Sequence, residues 1–334
     1  MKLTRILFPA LLAAAFLASC SKSSDDVTYN YLSGSMRFDM AMYTKAEAAY
    51  HLVPSGVTHP DGKDLGYYWR VSWKTANDTT KKVDVPGDGS YDMTAPANVG
   101  WYTVKAAAFA PDYSESSSTA ELCVVKDDID STVSNTGIKI TDPFMMDNRD
   151  GKRYYVTTIG GKTWSKQNSA YSACGKPYSN SEAMSYIFGR YYTWEEAKTA
   201  CPSGWHLSTE QDWLDLAIAV TGAKTLEKYG IFPNLAGALM PDAKFLSERM
   251  WEYFPKVVKT KSTGFSAIPV GYAVESGSTL FSGSTLYAAF WTADEDNNVQ
   301  AWYRLIRDDN PDVMAGTADK ASFRASVRCV EDKY

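Results

Sequence analysis

Ala200-Cys201-Pro202-Ser203-Gly204-Trp205-His206-Leu207 is the stretch on which the fold reading turns, together with Ser326-Val327-Arg328-Cys329-Val330 near the C-terminus. A Cys-Pro-x-Gly-Trp-His-Leu run that leads into a helix is improbable by chance. Pro202 and Gly204 mark a turn. Ser208-Thr209-Glu210-Gln211 then offers a helix cap, and Trp213, Leu214, Leu216, Ala217 and Val220 recur at helical spacing before Gly222. Cys329 lies far downstream, so pairing with Cys201 would staple a whole domain closed. In the chain-entropy model, closing a loop above a hundred residues contributes about 5 kcal/mol.

The chemistry in this block reads as fold-making. Cys201 sits in a Pro-Gly turn with no basic neighbour to lower its pKa, which argues against a redox or nucleophilic role. His206 is the one histidine inside a motif. With no nucleophile motif beside it, it reads as a hydrogen-bonded residue that orients the turn before the helix cap rather than as a general base. Gly204, Trp205 and His206 are therefore taken as a structural motif.

Outward from this block, the second half of the chain alternates short strands and short helices. Arg149 to Trp164 contains two alternating strands with turns at Asp150-Gly151 and Gly160-Gly161, a hairpin pattern. Gly160-Gly161-Lys162-Thr163 lacks the upstream glycine of a phosphate loop. Thr193 with Glu196 forms a candidate capping box, so a helix is expected to start there and end before Pro202. A weaker helical stretch is expected over Pro241 to Phe254. Strand blocks follow at Gly264–Tyr272, Ala289–Glu295, Ala301–Leu305 and Ala325–Val330.

The first half reads differently. From residue 29 to 126, alternating runs such as Gly66-Tyr67-Tyr68-Trp69-Arg70-Val71-Ser72-Trp73 and Trp101-Tyr102-Thr103-Val104-Lys105-Ala106 are separated by turn clusters. No helical period is present, which predicts an all-β sandwich. Residues 127–141 are rich in Asp, Ser, Thr and Asn and fit a linker. The second domain is assigned to 142–334.

Two resemblances follow from these blocks. Tyr68-Trp69-Arg70-Val71 with Gly100-Trp101-Tyr102-Thr103-Val104-Lys105-Ala106 resembles immunoglobulin-like modules of the PKD type, whose tryptophan packs in the core. The second domain resembles the Fibrobacter succinogenes major paralogous (FISUMP) domain. The matching pieces are Asp150-Gly151-Lys152, Ile159-Gly160-Gly161 through Trp164, Gly189-Arg190-Tyr191-Tyr192-Thr193-Trp194, the Cys201 block, Gly264-Phe265-Ser266-Ala267, Phe290-Trp291-Thr292, Ala301-Trp302-Tyr303-Arg304 and Ser326-Val327-Arg328-Cys329-Val330. That resemblance implies an α+β fold of C-type lectin-like or formylglycine-generating-enzyme-like kind. It also implies a secreted or surface setting in Bacteroidetes and Fibrobacteres, with no established activity. One departure concerns cysteine: members of the family often carry two before Gly-Arg-x-Tyr-Thr-Trp, and here only Cys174 is present. Cys174 is then either free or paired with Cys123 across the two domains.

The start of the chain predicts its address. Met1 to Arg5 is basic, Ile6 to Ala18 is apolar and too short to span a bilayer, and Leu17-Ala18-Ser19-Cys20 resembles a bacterial lipobox. Residues 1–19 read as a lipoprotein signal peptide, Cys20 as the lipidated residue and 20–28 as a flexible tether of the serine-aspartate kind. Outer-membrane lipid is thus an expected partner through Cys20, and the outer face of the outer membrane the expected location. The chain carries a formal charge of −5, which becomes −7 when Lys2 and Arg5 leave with the leader (−5 − 2). With no basic block left, nucleic acid is not an expected partner.

The 22 Tyr and 10 Trp suit carbohydrate or protein recognition, because each ring offers a flat apolar face with a polar edge. The three histidines are scattered and no Cys-x-x-Cys occurs, so zinc is not supported and no cofactor is implied. Asp294-Glu295-Asp296 supplies clustered oxygens of the kind calcium takes, and reads equally well as a solvated turn. The expected function is that of a non-enzymatic surface lipoprotein binding an extracellular glycan or protein. A structural or assembly role is the alternative, and an enzyme akin to formylglycine-generating enzymes comes third. The loops between Tyr272 and Asn298 are the expected binding face.

Overall fold

The computed structural model describes residues 30–73, 82–252, 257–260 and 262–332. The leader, Cys20 and the tether at 20–28 lie outside the described residues. Among those described, no helix is long and apolar enough to cross a membrane.

The alternating runs of the first half pair as the period-2 pattern requires. Tyr43–Lys45, Ser116–Val125, Gly100–Phe109, Gly66–Trp73 and Val83–Val85 form a five-stranded sheet in that order. Two hairpin-like pairs, Ser33–Arg37 with Ser55–Thr58 and Ala49–Leu52 with Tyr91–Thr94, supply the facing layer. Between the layers lie Trp69, Met93, Val104, Ala106, Leu122 and Val124. Trp69 is 1% exposed, and its indole N–H donates to the Gly89 carbonyl at 2.8 Å, so the buried ring leaves no donor unpaired. The first half is the expected β-sandwich.

In the second half the C-terminal strand is central. Cys329–Glu331 inserts between Lys162–Ser165 of the opening hairpin and Trp205–Leu207 of the Cys201 block, in a five-stranded sheet that also holds Phe144–Asp147 and Lys152–Ile159. The first and last strands of the domain are thereby stitched into one sheet. Leu207 is the register partner of Cys329. This pairing brings Cys201 and Cys329 into a disulfide with Cα atoms 5.7 Å apart across a separation of 128 residues.

The helix after the block spans Glu210–Thr221. Thr209 is its N-cap and closes a capping box with Asp212, and Gly222 ends it at φ 69°. It buries Trp213, Leu216 and Ala217 against Trp164, Phe265 and Phe290. Thr193 and Glu196 form the other expected box, on a helix of only one turn, Trp194–Ala197.

Of the helix expected over Pro241–Phe254, the described part, residues 241–252, forms no helix. A one-turn helix, Ala236–Leu239, precedes it, and Lys244–Phe245 pairs with Glu248–Arg249 as a hairpin. The turn residues Leu246 and Ser247 both have positive φ, at 46° and 75°, which is the two-residue turn that suits strand twist. Apolar residues here face a core on several sides, and that imitated a helical period.

The segment 127–141 is docked on the second domain. Val133–Ser134 adds a strand to the hairpin at Lys244–Phe245. Thr132 bonds both the N–H and the carbonyl of Lys126, and Ser266 donates to the Thr136 carbonyl at 2.7 Å. The two halves also share one apolar cluster, in which Cys123, Val125, Tyr43 and Trp101 meet Met184, Phe188, Tyr191, Ile268 and Phe281. Cys123 is a buried free thiol there, raised to about 12 by burial. Cys174 is also free, so no Cys123–Cys174 bridge forms. Its sulfur lies beside the Glu196 carbonyl and the Thr199 hydroxyl, while Cys123 faces the apolar cluster.

Arg328, next to the disulfide, is fully buried without a carboxylate partner. Its guanidinium donates to the carbonyls of Ser165 (2.9 Å), Phe265 (2.6 Å) and Ser266 (3.0 Å) and to Asn168 Oδ1 (2.8 Å). It also lies over the Phe265 ring at 4.4 Å. Burial pulls its pKa down to about 9, so it stays charged at neutral pH. Arg328→Met would leave three buried carbonyls without donors, at about 1–3 kcal/mol each. Urea unfolding is expected to show a loss of at least about 3 kcal/mol. An unchanged midpoint would contradict the role assigned to this residue.

Candidate functional site

Two three-stranded sheets meet on one face of the second domain. Tyr287–Glu295, Gln300–Arg307 and Val313–Asp319 form one; Ser278–Ser282, Tyr272–Ser276 and Phe323–Arg324 form the other. Strand alternation sorts their residues cleanly. On Gln300–Arg307, the buried Arg304 and Ile306 point inward, while Tyr303, Leu305 and Arg307 point to the opposite face. On Ser278–Ser282, Phe281 packs against Tyr178 and Tyr191 inside, and Leu280 is exposed.

That opposite face also buries Ala289, Trp291 and Ala301, and at its margin it carries a row of four partly exposed rings: Tyr287, Tyr272, Phe323 and Tyr303. Neighbouring centroids are 6.3, 5.2 and 5.1 Å apart, and neighbouring ring planes are inclined by 31°, 31° and 37°. The buried Trp291, the register partner of Tyr303 and on the same face of the sheet, meets Phe323 and Tyr303 edge-on, each at 86°. Two glycines seat the ends of the row. A Cβ on Gly316 would come within 2.9 Å of the Tyr303 ring, and one on Gly283 within 2.2 Å of the Tyr287 ring. Each ring therefore rests on bare backbone. Partial burial raises the Tyr303 hydroxyl pKa, keeping it a neutral hydrogen-bonding group. The Arg307–Asp309 pair, at 2.9 Å, brings the charge nearest the Tyr287 end of the row.

This row only partly overlaps the expected binding face. Tyr272 and Tyr287 come from the 272–298 stretch, whereas Tyr303 and Phe323 come from outside it. Asp294, Glu295 and Asp296 do not converge. Asp294 accepts from the Glu210 backbone N–H (2.8 Å), Lys228 (2.9 Å) and Tyr229 (3.0 Å); Glu295 pairs with Lys320; Asp296 accepts from Asn297. Among the described residues no group of three or more His, Cys, Asp or Glu side chains could hold a metal. In this arrangement each of the three carboxylates serves a local cation or amide. Beneath Asp294, Glu210 and Arg304 form a fully buried bidentate ion pair. Burial pushes the Glu210 carboxyl up and the Arg304 guanidinium down, and their mutual contact opposes both shifts.

His206 sits apart from the row, between two carboxylates. Its ring nitrogens lie 2.6 Å from Asp332 Oδ1 and 3.0 Å from Asp212 Oδ2. Asp212 also takes Lys162 at 2.7 Å and the N–H and hydroxyl of Thr209. His206 thus ties the Trp205–Leu207 strand to the helix cap and to the chain's C-terminal end. Gly204 allows this course at φ 80°, a conformation other residues resist.

Residues 145–331 match the family model described as the Fibrobacter succinogenes major domain. The chain belongs to this family. The matched span covers the hairpin, the Cys201 block, the aromatic row and the closing strand. No curated protein matches the chain. Among solved structures, a superoxide reductase (neelaredoxin) from Ignicoccus hospitalis aligns at TM-score 0.23 and 9% identity, over 30% of this chain and 87% of that one. The CARDB domain of a Pyrococcus furiosus protein, in complex with di-metal ions, aligns at TM-score 0.20 and 12% identity, over 31% of this chain and all of that one. At such scores neither carries an argument about this domain.

The His206 cluster predicts a pH signature. Contact with Asp212 raises the His206 pKa, so its contribution is complete below about pH 6.5 and fades as pH rises through the raised value. Burial alone would raise the Asp212 carboxyl, yet hydrogen bonds from His206, Lys162 and Thr209 hold it well below the usual carboxylate range. That contribution is complete above about pH 4 and fades on acidification. The melting-temperature gap between wild type and His206→Asn should be widest between these limits and narrow toward alkaline pH. A gap that stays constant from pH 5 to pH 9 would contradict it.

Proposed function

We propose that this family member is a non-enzymatic surface lipoprotein whose second domain binds neutral extracellular glycan along the row Tyr287–Tyr272–Phe323–Tyr303. The row carries the reading. Sugar rings present an apolar face of C–H groups and an edge of hydroxyls, which is what partly exposed aromatic rings with neutral phenol groups complement. The inclination between successive rings describes a gently twisting track rather than one flat plane. Such a track suits a single extended oligosaccharide.

The anchor and address belong to the same proposal. Cys20 would carry the lipid, residues 20–28 would hold the folded part off the outer membrane, and the PKD-like sandwich would act as a spacer. A C-type lectin-like ancestry for the second domain fits this role by analogy alone. If Cys20 is lipidated, Cys20→Ser should move the protein from the detergent phase to the aqueous phase in Triton X-114 partition. Persistence in the detergent phase would remove the lipid anchor from the account.

The binding reading is tested with the full chain carrying Cys20→Ser, titrated calorimetrically with cellohexaose, xylohexaose, mannohexaose and chitohexaose. At least one should bind, and Tyr303→Ala and Tyr272→Ala should each weaken that binding about tenfold in variants shown by circular dichroism to remain folded. Binding indifferent to both substitutions would overturn the row as the site. Failure of all four sugars, with self-association abolished by Leu280→Glu, would favour the assembly role instead.

A further inference from the structure

The sandwich holds a second aromatic-lined recess, unconnected with the row on the second domain. Strand Val83–Val85 pairs only with Tyr67–Trp69 of the strand Gly66–Trp73. Beyond Trp69, the inward-facing Val71 and Trp73 carry the core out toward the open end of the sandwich. There they face Tyr91 and Met93 of the other layer across a groove of about 320 Å³. Thr94, Pro96, Asn98 and Tyr102 complete its described wall.

Three features of this groove point to one kind of ligand. First, its floor is aromatic: the Trp73 and Tyr102 ring centroids are 4.4 Å apart, and Tyr91 stacks at 24° on the buried Trp69. Second, Trp73 is seated on backbone. Gly100, at φ 153°, lies so close that a Cβ would come within 2.5 Å of the indole. Third, no described lining residue carries a charge, while Thr94, Asn98 and the Tyr91 phenol supply neutral donors and acceptors. A charged ligand would lose its hydration here without a partner. A concave wall in which aromatic faces alternate with neutral hydrogen-bonding groups complements a sugar's C–H face and hydroxyl edge.

We infer that this groove is a second carbohydrate site, taking a neutral sugar unit against Trp73 and Tyr91. The β-sandwich is then a binding module in its own right, and the chain carries two glycan contacts. The two sites stand on different domains, so each is testable without the other.

The experiment uses the full chain carrying Cys20→Ser and Tyr303→Ala, which disables the row on the second domain. Titration with cellohexaose, xylohexaose, mannohexaose and chitohexaose is followed by tryptophan fluorescence. At least one sugar should still bind and perturb the emission, and adding Trp73→Ala should weaken it about tenfold. Asn98→Ala, at an exposed position whose side chain supports no core contact, should weaken binding with no change in melting temperature, which separates binding from folding. No binding in the Tyr303→Ala background, or binding unaffected by both Trp73→Ala and Asn98→Ala, overturns the inference. Equal binding by the chains with and without Tyr303→Ala, abolished by Trp73→Ala, would leave the groove standing while the reading of the row fails.

Discussion

The second domain is organised around a buried positive charge. Arg328 has no carboxylate beside it, and taking a guanidinium out of water is costly unless its donors are filled. Here four hydrogen bonds occupy four of its five N–H donors, three of them going to main-chain carbonyls at Ser165, Phe265 and Ser266. Those carbonyls belong to the opening hairpin and to the Gly264–Ile268 loop, which are far apart in sequence. The charge can be buried only if both segments are in place, so one side chain enforces the meeting of three distant stretches. The neighbouring disulfide closes the same sheet covalently, and Trp164, Trp213 and Phe265 fill the space beside it.

A core fixed from its centre frees the periphery to be irregular. The short strands and one-turn helices of this domain have little stability of their own. They persist because each carries residues into a shared interior: Trp291 beside Tyr303 and Phe323, Arg304 against Glu210, Phe281 against Tyr178 and Tyr191. The sandwich is part of this arrangement through Tyr43, Trp101 and Cys123, whose cluster is continuous with Phe188 and Tyr191. The two halves therefore share apolar surface.

What the sequence made legible is what local chemistry determines. The Thr193 capping box, the helix after the Cys201 block, the Gly160-Gly161 turn and the alternating sandwich strands were readable, because each signal lies within a few residues; the second cap was expected at Ser208 and falls one residue on, at Thr209 with Asp212. The Cys201–Cys329 pair was readable from its paired motifs. The region after Pro241 misled, since a loop buried on several sides shows apolar residues at every spacing. Residues 127–141 read as a linker on composition, yet the pairing of Val133–Ser134 with Lys244–Phe245 and the Thr136 carbonyl, which accepts from Ser266, hold the segment against the second domain. The aromatic row was the least legible feature. Its rings come from four strands and its two seats are glycines, and only strand pairing brings Gly316 beneath Tyr303. The alternation of Tyr303 with Arg304 was the available clue, as it places one residue out and the other in.

Fold and function then separate cleanly. The motif residues Cys201, Trp205, His206, Arg328 and Cys329 build the domain, and in the proposed reading the partly exposed rings carry its binding function. The most direct test is a crystal structure of the Cys20→Ser chain soaked with the best-binding hexasaccharide. The account predicts sugar rings stacked over Tyr272, Phe323 and Tyr303, with the Arg328 and His206 contacts undisturbed. Sugar density confined to the Cys201 block, with the aromatic row bare, would contradict it.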